Sequence, residues 1–306
     1  MKKISIIIPV YNNAGSLGGT YKNLSVYLRK IEKKYKYELI FVNDGSHDNS
    51  LEKLLELRKK DSHVKIINFT RNFGQASAVL AGFEYSQSEI GITISADMQD
   101  PCQLIIEMIS RWEEGYKVVL CVRKSREDDL FSKIGSKIFY GIIQKSIHSM
   151  PLGGFDYFLL DKLIYKKLVN LDIRNAFLQI DILWFGHKPY ILQYKRVKRK
   201  NGKSEWTIGR KIKASIDGII DASHWPIRLI SLVGLAFAFL GFFYAMLVFL
   251  SYLFKATPFQ GYTPIMIIML IGFGLIMVML GVIGEYSWRI YEEIKKKPLY
   301  IIENIY

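Results

Sequence analysis

Cysteine is nearly missing from this chain. Only Cys102 and Cys121 are present, too few for a disulfide framework or a Cys-based metal cluster, and they fit a reducing compartment. Acid is also scarce, with 28 Asp and Glu against 42 Lys and Arg, a net charge of +14. Residues 1–228 hold 37 of those bases and 24 of the acids, so they carry +13 of the excess. Such a domain suits anionic lipid headgroups and anionic ligands. No nucleic-acid-binding motif accompanies the charge, which argues against nucleic acid as a partner. There is no internal repeat and no low-complexity tract. The apolar opening ISIIIPV stops at Pro9 and turns polar at Tyr11-Asn12-Asn13. It is too short for a signal peptide and reads as a buried strand.

Charge is absent altogether from Leu229–Phe254, twenty-six residues, and from Ile265–Ile283, nineteen more. Each run can cross the roughly 30 Å hydrocarbon core of a bilayer as a helix. Two uncharged runs this long are rarely buried in a globule of this size, so membrane spans are expected rather than a core hairpin. Lys211, Lys213 and Arg228 precede the first run, and Arg289, Lys295, Lys296 and Lys297 follow the second. The positive-inside rule then puts both ends in the cytoplasm and Lys255–Thr263 on the other side. The expected organisation is a cytoplasmic domain over 1–207, an interfacial amphipathic helix over 208–228, two transmembrane helices within 229–288 and a cytoplasmic tail over 289–306. Residues 130–148 also interleave Ile, Phe and Tyr with Lys at helical spacing, which fits either an interfacial helix or an ordinary surface helix.

Strand and helix patterns alternate through the first 125 residues. Ile4–Ile8, Glu38–Val42, Val64–Phe69, Gly91–Ser95 and Lys117–Val122 are short, apolar and β-branched. Ser16–Lys33, Asn49–Lys60, Gln75–Ser86 and Pro101–Glu114 have helical spacing. This order predicts an α/β fold with a mostly parallel sheet, helices on both faces, and ligands beyond the carboxyl ends of the strands. Asp44-Gly45-Ser46 is a tight turn that leaves a carboxylate beyond the sheet, a weak signal by itself. The stretch Ser95–Pro101 says more, because Asp97 and Gln99 end a very apolar strand and can aim oxygens at one point. A hard divalent ion on a pyrophosphate needs only one or two protein carboxylates. Asp100-Pro101 reads as a helix N-terminus.

Six stretches, SIIIPVYNN, VNDGS, RNFGQASAVLAGFEYS, SADMQDP, GGFDYFLLD and KRKNGKSEW, occur in this order. Together they resemble the family 2 glycosyltransferases of GT-A (Rossmann-like) fold. Within these, the chain is most similar to the polyprenyl-phosphate glycosyltransferases, including the bactoprenol glucosyltransferases and dolichol-phosphate mannosyltransferase. The likeness spans essentially the whole chain, the two apolar runs included. It implies that Pro9, Tyr11, Val42 and Asp44 hold the base and ribose of a nucleotide-sugar, with Asn13, Ser95 and Ala96 beside them. It implies a Mg2+ or Mn2+ ion at Asp97 and Gln99, and Arg123, Arg199 and Lys203 on the diphosphate. Arg123, Arg126, Lys133 and Ser136 match positions that take the acceptor phosphate, and Asp156 matches an active-site aspartate. Asp97, Asp156 and Arg199 are thus the expected catalytic set.

The pattern is departed from four times. Asn13 stands where the family has Glu, Ser95 where it has the first Asp of Asp-x-Asp, Gln75 where Lys is common and Glu205 where a Lys is usual. Asn13 bears on nucleotide or sugar preference, Ser95 on metal affinity, and Glu205 reverses a charge near the diphosphate. The implied reaction moves a sugar, from a UDP-sugar for preference, to undecaprenyl or another polyprenyl phosphate at the cytoplasmic face of a bacterial inner membrane, with inversion. A homo-oligomer, a tetramer by resemblance, is expected. The alternatives are a processive polysaccharide synthase and a non-catalytic nucleotide-sugar-binding membrane scaffold. The synthase fits less well because Gln-x-x-Arg-Trp is absent.

Overall fold

The computed structural model describes residues 1–124, 140–141, 143–171, 177–195, 225–254 and 263–306. The expected amphipathic stretches 130–148 and 208–225 and the connection 255–263 lie largely outside them. Four strands, β1 (Lys2–Val10), β2 (Tyr35–Asn43), β3 (Val64–Phe69) and β4 (Ile90–Thr93), alternate with helices α1 (Leu17–Ile31), α2 (Ser50–Lys60) and α3 (Gln75–Glu84). All four strands are parallel, in the order β3-β2-β1-β4. Ile4, Ile6, Ile7 and Ile8 of β1 are all fully buried, as a continuous apolar strand must be when helices cover both faces. Ile4, Ile6 and Ile8 join Leu17, Leu24 and Leu28 of α1 in one core, with Met108 of α4 (Leu104–Glu113). Ile7 belongs to a second core with Phe83, Phe158 and Tyr165.

Beyond β4 the sheet stops being purely parallel. β6 (Tyr157–Asp161) enters antiparallel between β4 and β5 (Val118–Arg123), and β7 (Tyr190–Tyr194) pairs parallel with β5. Helices α5 (Lys162–Asn170) and α6 (Leu178–Trp184) follow β6. Asp161 caps α5, its Oδ1 accepting from the Leu163 amide at 3.0 Å. Because β6 runs against its neighbours, it begins at the edge where β4 and β5 end. That reversal delivers Asp156, the residue just before β6, to the carboxyl edge of the sheet.

At the opposite side, β8 (Ile302–Ile305) adds antiparallel to β3. Residues 289–306, expected as a cytoplasmic tail, therefore end in a strand of this same sheet. The Ile66 and Tyr306 main chains exchange two hydrogen bonds of 2.9 Å, and the Thr70 amide donates to the Ile301 carbonyl at 3.1 Å. Tyr300 stacks on Phe69 with ring centres 5.0 Å apart. The chain forms two compact units, one of Met1–Ala222 with Pro298–Tyr306 and the other of Ser223–Lys297.

The second unit contains α7 (Trp225–Leu253) and α8 (Thr263–Ile294), 29 and 32 residues long. At 1.5 Å rise per residue they measure about 43 and about 48 Å. Among the described residues, Ile271–Ile294 is long and apolar enough to cross a membrane, and Arg228–Tyr244 is a shorter apolar stretch. Phe239, Phe242 and Met277 stand exposed along these helices. The two helices meet where Met279 lies over Gly234 and Phe237 lies over Gly272, small residues that let helix backbones approach.

Candidate active site

Four of the loops and strand ends at the carboxyl edge converge on one hydrogen-bonded site. The first loop, Tyr11–Asn13, leaves β1 through Asn12 in the left-handed region at φ +52°. The Asn13 side chain turns back, its Oδ1 accepting from the Tyr11 main-chain N–H at 3.1 Å, while the Asn13 main-chain N–H donates to Ser50 Oγ at 3.0 Å. A neutral side chain therefore closes this turn, at the position where the resemblance implies a glutamate. Asp48 ties the loop to the second, accepting from the Ala14 amide at 3.0 Å.

Asp44 directly follows β2, buried at 3% exposure, and its two oxygens accept from the amides of Phe73 and Gly74 at 2.6 and 2.9 Å. It thereby holds the Arg71–Gly74 loop. Gly45, at φ +61°, is required beside it, since a Cβ there would collide with the Arg71 and Asn72 backbone. The Val42 side chain is fully buried with Ile40, Ile67 and Ala81, within a strand paired on both sides. Pro9 is half-buried at the end of β1.

Burial pushes the Asp44 carboxyl up to about 6, against the pull of the two amides. A carboxyl raised in the folded state stabilises the fold when protonated, and that contribution is lost as pH rises from about 4 through about 6. Asp44→Asn is therefore expected to gain on the wild type across this interval by about 2 kcal/mol. Urea unfolding of both proteins at pH 4 and pH 7 measures it. A difference that does not change with pH would refute the assignment.

The Ser95–Asp100 segment forms the centre. Ser95 Oγ lies 2.8 Å from Asp97 Oδ1 and 2.5 Å from Asp100 Oδ2, and the Gln99 amide donates to Asp97 Oδ1 at 3.1 Å. Met98 takes φ +60°, a conformation that costs an ordinary residue about 1 kcal/mol and that turns the chain between Asp97 and Gln99. Its thioether lies against Gly19 of α1, where a Cβ would displace it. The Ala96 carbonyl accepts from Ser16 Oγ at 2.7 Å and Thr20 Oγ1 at 2.9 Å, fixing the segment to α1.

Asp100 departs from the helix-start reading. The regular helix begins at Leu104, and the buried Asp100 carboxylate instead accepts from the Ser95 amide at 3.3 Å, from Ser95 Oγ and from Tyr194 Oη at 2.7 Å. Burial and the neighbouring Asp100 charge push the Tyr194 hydroxyl up, so it remains a donor. Arg123 hydrogen-bonds Tyr194 in turn and pairs with Asp156, Nη2 to Oδ2 at 3.2 Å. Gln179 Nε2 reaches Asp156 Oδ1 at 3.3 Å, and Thr93 Oγ1 donates to the Asp156 carbonyl at 3.0 Å. One network thus joins Asp97 to Asp156 through Ser95, Asp100, Tyr194 and Arg123. Asp100 carried only a helix-start signal, and Tyr194 and Gln179 none, because their partners lie up to 94 residues away.

A divalent cation fits this donor set. Among the described residues no three of His, Cys, Asp and Glu gather as a self-sufficient metal cage. Two carboxylates crowd one hydroxyl that can donate to only one of them, an oxygen-rich arrangement suited to a hard cation. Both thiols are raised by burial, Cys102 to about 11, so neither is poised as a nucleophile or ligand. Arg126, Lys133, Ser136, Arg199, Lys203 and Glu205 lie outside the described residues.

Residues 5–183, more than half the chain, match the family described as glycosyl transferase family 2. An uncharacterized glycosyltransferase of Bacillus subtilis is 38% identical over 99% of this chain and 94% of its own. The bactoprenol glucosyl transferase of Shigella phage SfV is 30% identical, covering 99% of this chain and 98% of its own. Among solved structures, glucosyl-3-phosphoglycerate synthase from Mycobacterium tuberculosis, in complex with Mn2+, UDP and phosphoglyceric acid, superposes with a TM-score of 0.50. It is 13% identical and covers 70% of this chain and 75% of its own, a likeness of fold.

Proposed function

The chain belongs to glycosyl transferase family 2, and from that premise we propose that it moves a sugar from a UDP-sugar to a polyprenyl phosphate at the cytoplasmic face of a membrane. The observation that carries this reading is the single network from Asp97 to Asp156, with Arg123 between them, at the carboxyl edge of the sheet. The relative named bactoprenol glucosyl transferase matches end to end, apolar helices included, which supports a lipid-linked acceptor. The fold likeness to a synthase solved with Mn2+ and UDP supports the donor and the metal.

A phosphate monoester is largely dianionic at neutral pH, so the acceptor needs no strong base. The protein's task is alignment for in-line attack and stabilisation of the departing diphosphate. A Mg2+ or Mn2+ ion held by Asp97 and Gln99 would supply charge neutralisation on that diphosphate. Arg123 offers a cation to a phosphate from the end of β5. Asp156, oriented by Arg123 and Gln179, is suited to fixing a sugar hydroxyl or the acceptor. Direct displacement inverts the anomeric centre. Arg199, Lys203, Arg126, Lys133 and Ser136 complete the proposed phosphate-handling set.

Two crossings, rather than one, are favoured by chain connectivity. Residues before α7 and the strand after α8 belong to one folded unit, so a chain that crosses with α8 must cross back. The surplus of Lys and Arg at both flanks supports a cytoplasmic catalytic unit. The test is transfer from radiolabelled UDP-, GDP- and dTDP-sugars in vesicles containing undecaprenyl phosphate. A butanol-extractable lipid monosaccharide from a UDP-sugar is expected; a polymer, or no product with any donor, would overturn the proposal.

A further inference from the structure

The last strand of the chain reaches the donor loop through side chains. Glu303 Oε2 accepts from Asn68 Nδ2 at 2.6 Å, and Asn68 Oδ1 accepts from Asn43 Nδ2 at 2.7 Å. Asn43 Oδ1 accepts from Ser46 Oγ at 2.6 Å, and Ser46 Oγ accepts from the Asn12 amide at 3.0 Å. We infer that Glu303 is a positioning residue, which holds the Tyr11–Asn13 loop in its binding shape through this relay and so sets donor affinity. The inference rests on the proposal that this loop holds the nucleotide.

The direction of the relay is forced at both ends. A main-chain N–H can only donate and a carboxylate can only accept, so both amides and the hydroxyl between them have one possible orientation. Bonds aligned head to tail in this way polarise and strengthen one another. Asn43 and Asn68 are 2% and 4% exposed, so water cannot readily replace a lost partner in the middle of the relay. The loop end needs the support, since Asn12 sits at φ +52°.

The backbone supplies a second, independent reason. Asn304 is opposite Asn68 and Ile302 is opposite Phe69, with a shift in register between them. Glu303 is the extra residue at that irregularity. A bulge re-aims a side chain that regular pairing would have pointed elsewhere, and here the side chain meets Asn68. None of this is needed to pair the strand, which already has main-chain bonds from Ile66, Thr70 and Tyr306.

The measurements are hydrogen–deuterium exchange of residues 10–16 and the UDP dissociation constant, on the full chain in lipid nanodiscs. Glu303 is exposed, and water can partly replace it, so Glu303→Ala is expected to weaken UDP about fivefold while accelerating exchange in the loop. Transfer at saturating donor is expected to change less than twofold. Glu303→Gln keeps an acceptor oxygen and should restore most of the affinity. Ser46→Ala cuts the same relay without touching β8, and combining it with Glu303→Ala should add little to either alone. Unchanged loop exchange and affinity in Glu303→Ala, or fully additive effects in the double variant, would overturn the inference. Faster loop exchange in both single variants, in a protein whose wild type binds no nucleoside diphosphate, would uphold the relay and refute the donor reading instead.

Discussion

Replacing Asp97 with asparagine is expected to lower sugar transfer about a hundredfold or more, the scale of losing a major charge-stabilising group at a leaving phosphate. Asp97 is the sole carboxylate at the two positions of the family's Asp-x-Asp pair, and the Gln99 amide and Ser95 hydroxyl both point at its Oδ1. Ser95→Ala should cost less, about tenfold, because a neutral oxygen contributes weakly to a hard cation. Its cost has a second source, as Ser95 is also the hydroxyl between Asp97 and Asp100. Ser95→Asp would set three carboxylates together, so it should bind the ion more tightly without a matching gain in rate, since ground-state binding alone leaves the barrier unchanged. Transfer rate against Mg2+ and Mn2+ concentration in the four proteins is the measurement. Near-normal rate and metal dependence in Asp97→Asn would remove the metal from this site.

Deleting residues 298–306 is expected to destabilise the catalytic unit by about 4 kcal/mol. That figure is a floor, from three main-chain hydrogen bonds flanking the β3–β8 ladder at about 1 kcal/mol each and the Phe69–Tyr300 stack at about 1 kcal/mol, to which the ladder itself and the Asn68–Glu303 bond add. For a unit of this size the melting temperature should fall by about 10 °C. The uncovered β3 edge should also make the shortened protein prone to association. Calorimetry and light scattering on the full and shortened chains decide it; coincident melting curves would show that β8 is dispensable. A truncation before α7, the obvious way to make a membrane-free domain, removes this strand too and is expected to carry the same defect.

What was legible in the sequence had local causes. The four parallel strands and their helices could be read because β-branched runs and helical spacing occur within ten or fifteen residues. The Asp44, Asp97 and Asp156 motifs carried recognisable neighbours. β8 was not legible, because IIENIY is short and its partner β3 is more than 230 residues earlier, with two apolar helices between. Asp100 was misread for a related reason. An Asp before a Pro is a common helix start, and only the fold brings Tyr194 to it. The antiparallel entry of β6, which positions Asp156, also depends on which edge of β4 is free and leaves no mark on spacing.

The late pairing of β8 has a consequence for biosynthesis. A ribosome adds residues at about 5–20 per second, so β3 is made at least ten seconds before its neighbour exists. Throughout that time the nascent sheet has an open edge, and both apolar helices are translated before β8 can close it. Closure of the sheet thus waits until both apolar helices have been made. A chain whose helical segments were misrouted across the bilayer would deliver β8 to the wrong compartment and leave that edge unpaired, a defect visible to proteases. On the proposed two-span topology, β8 thereby makes closure of the sheet conditional on correct insertion.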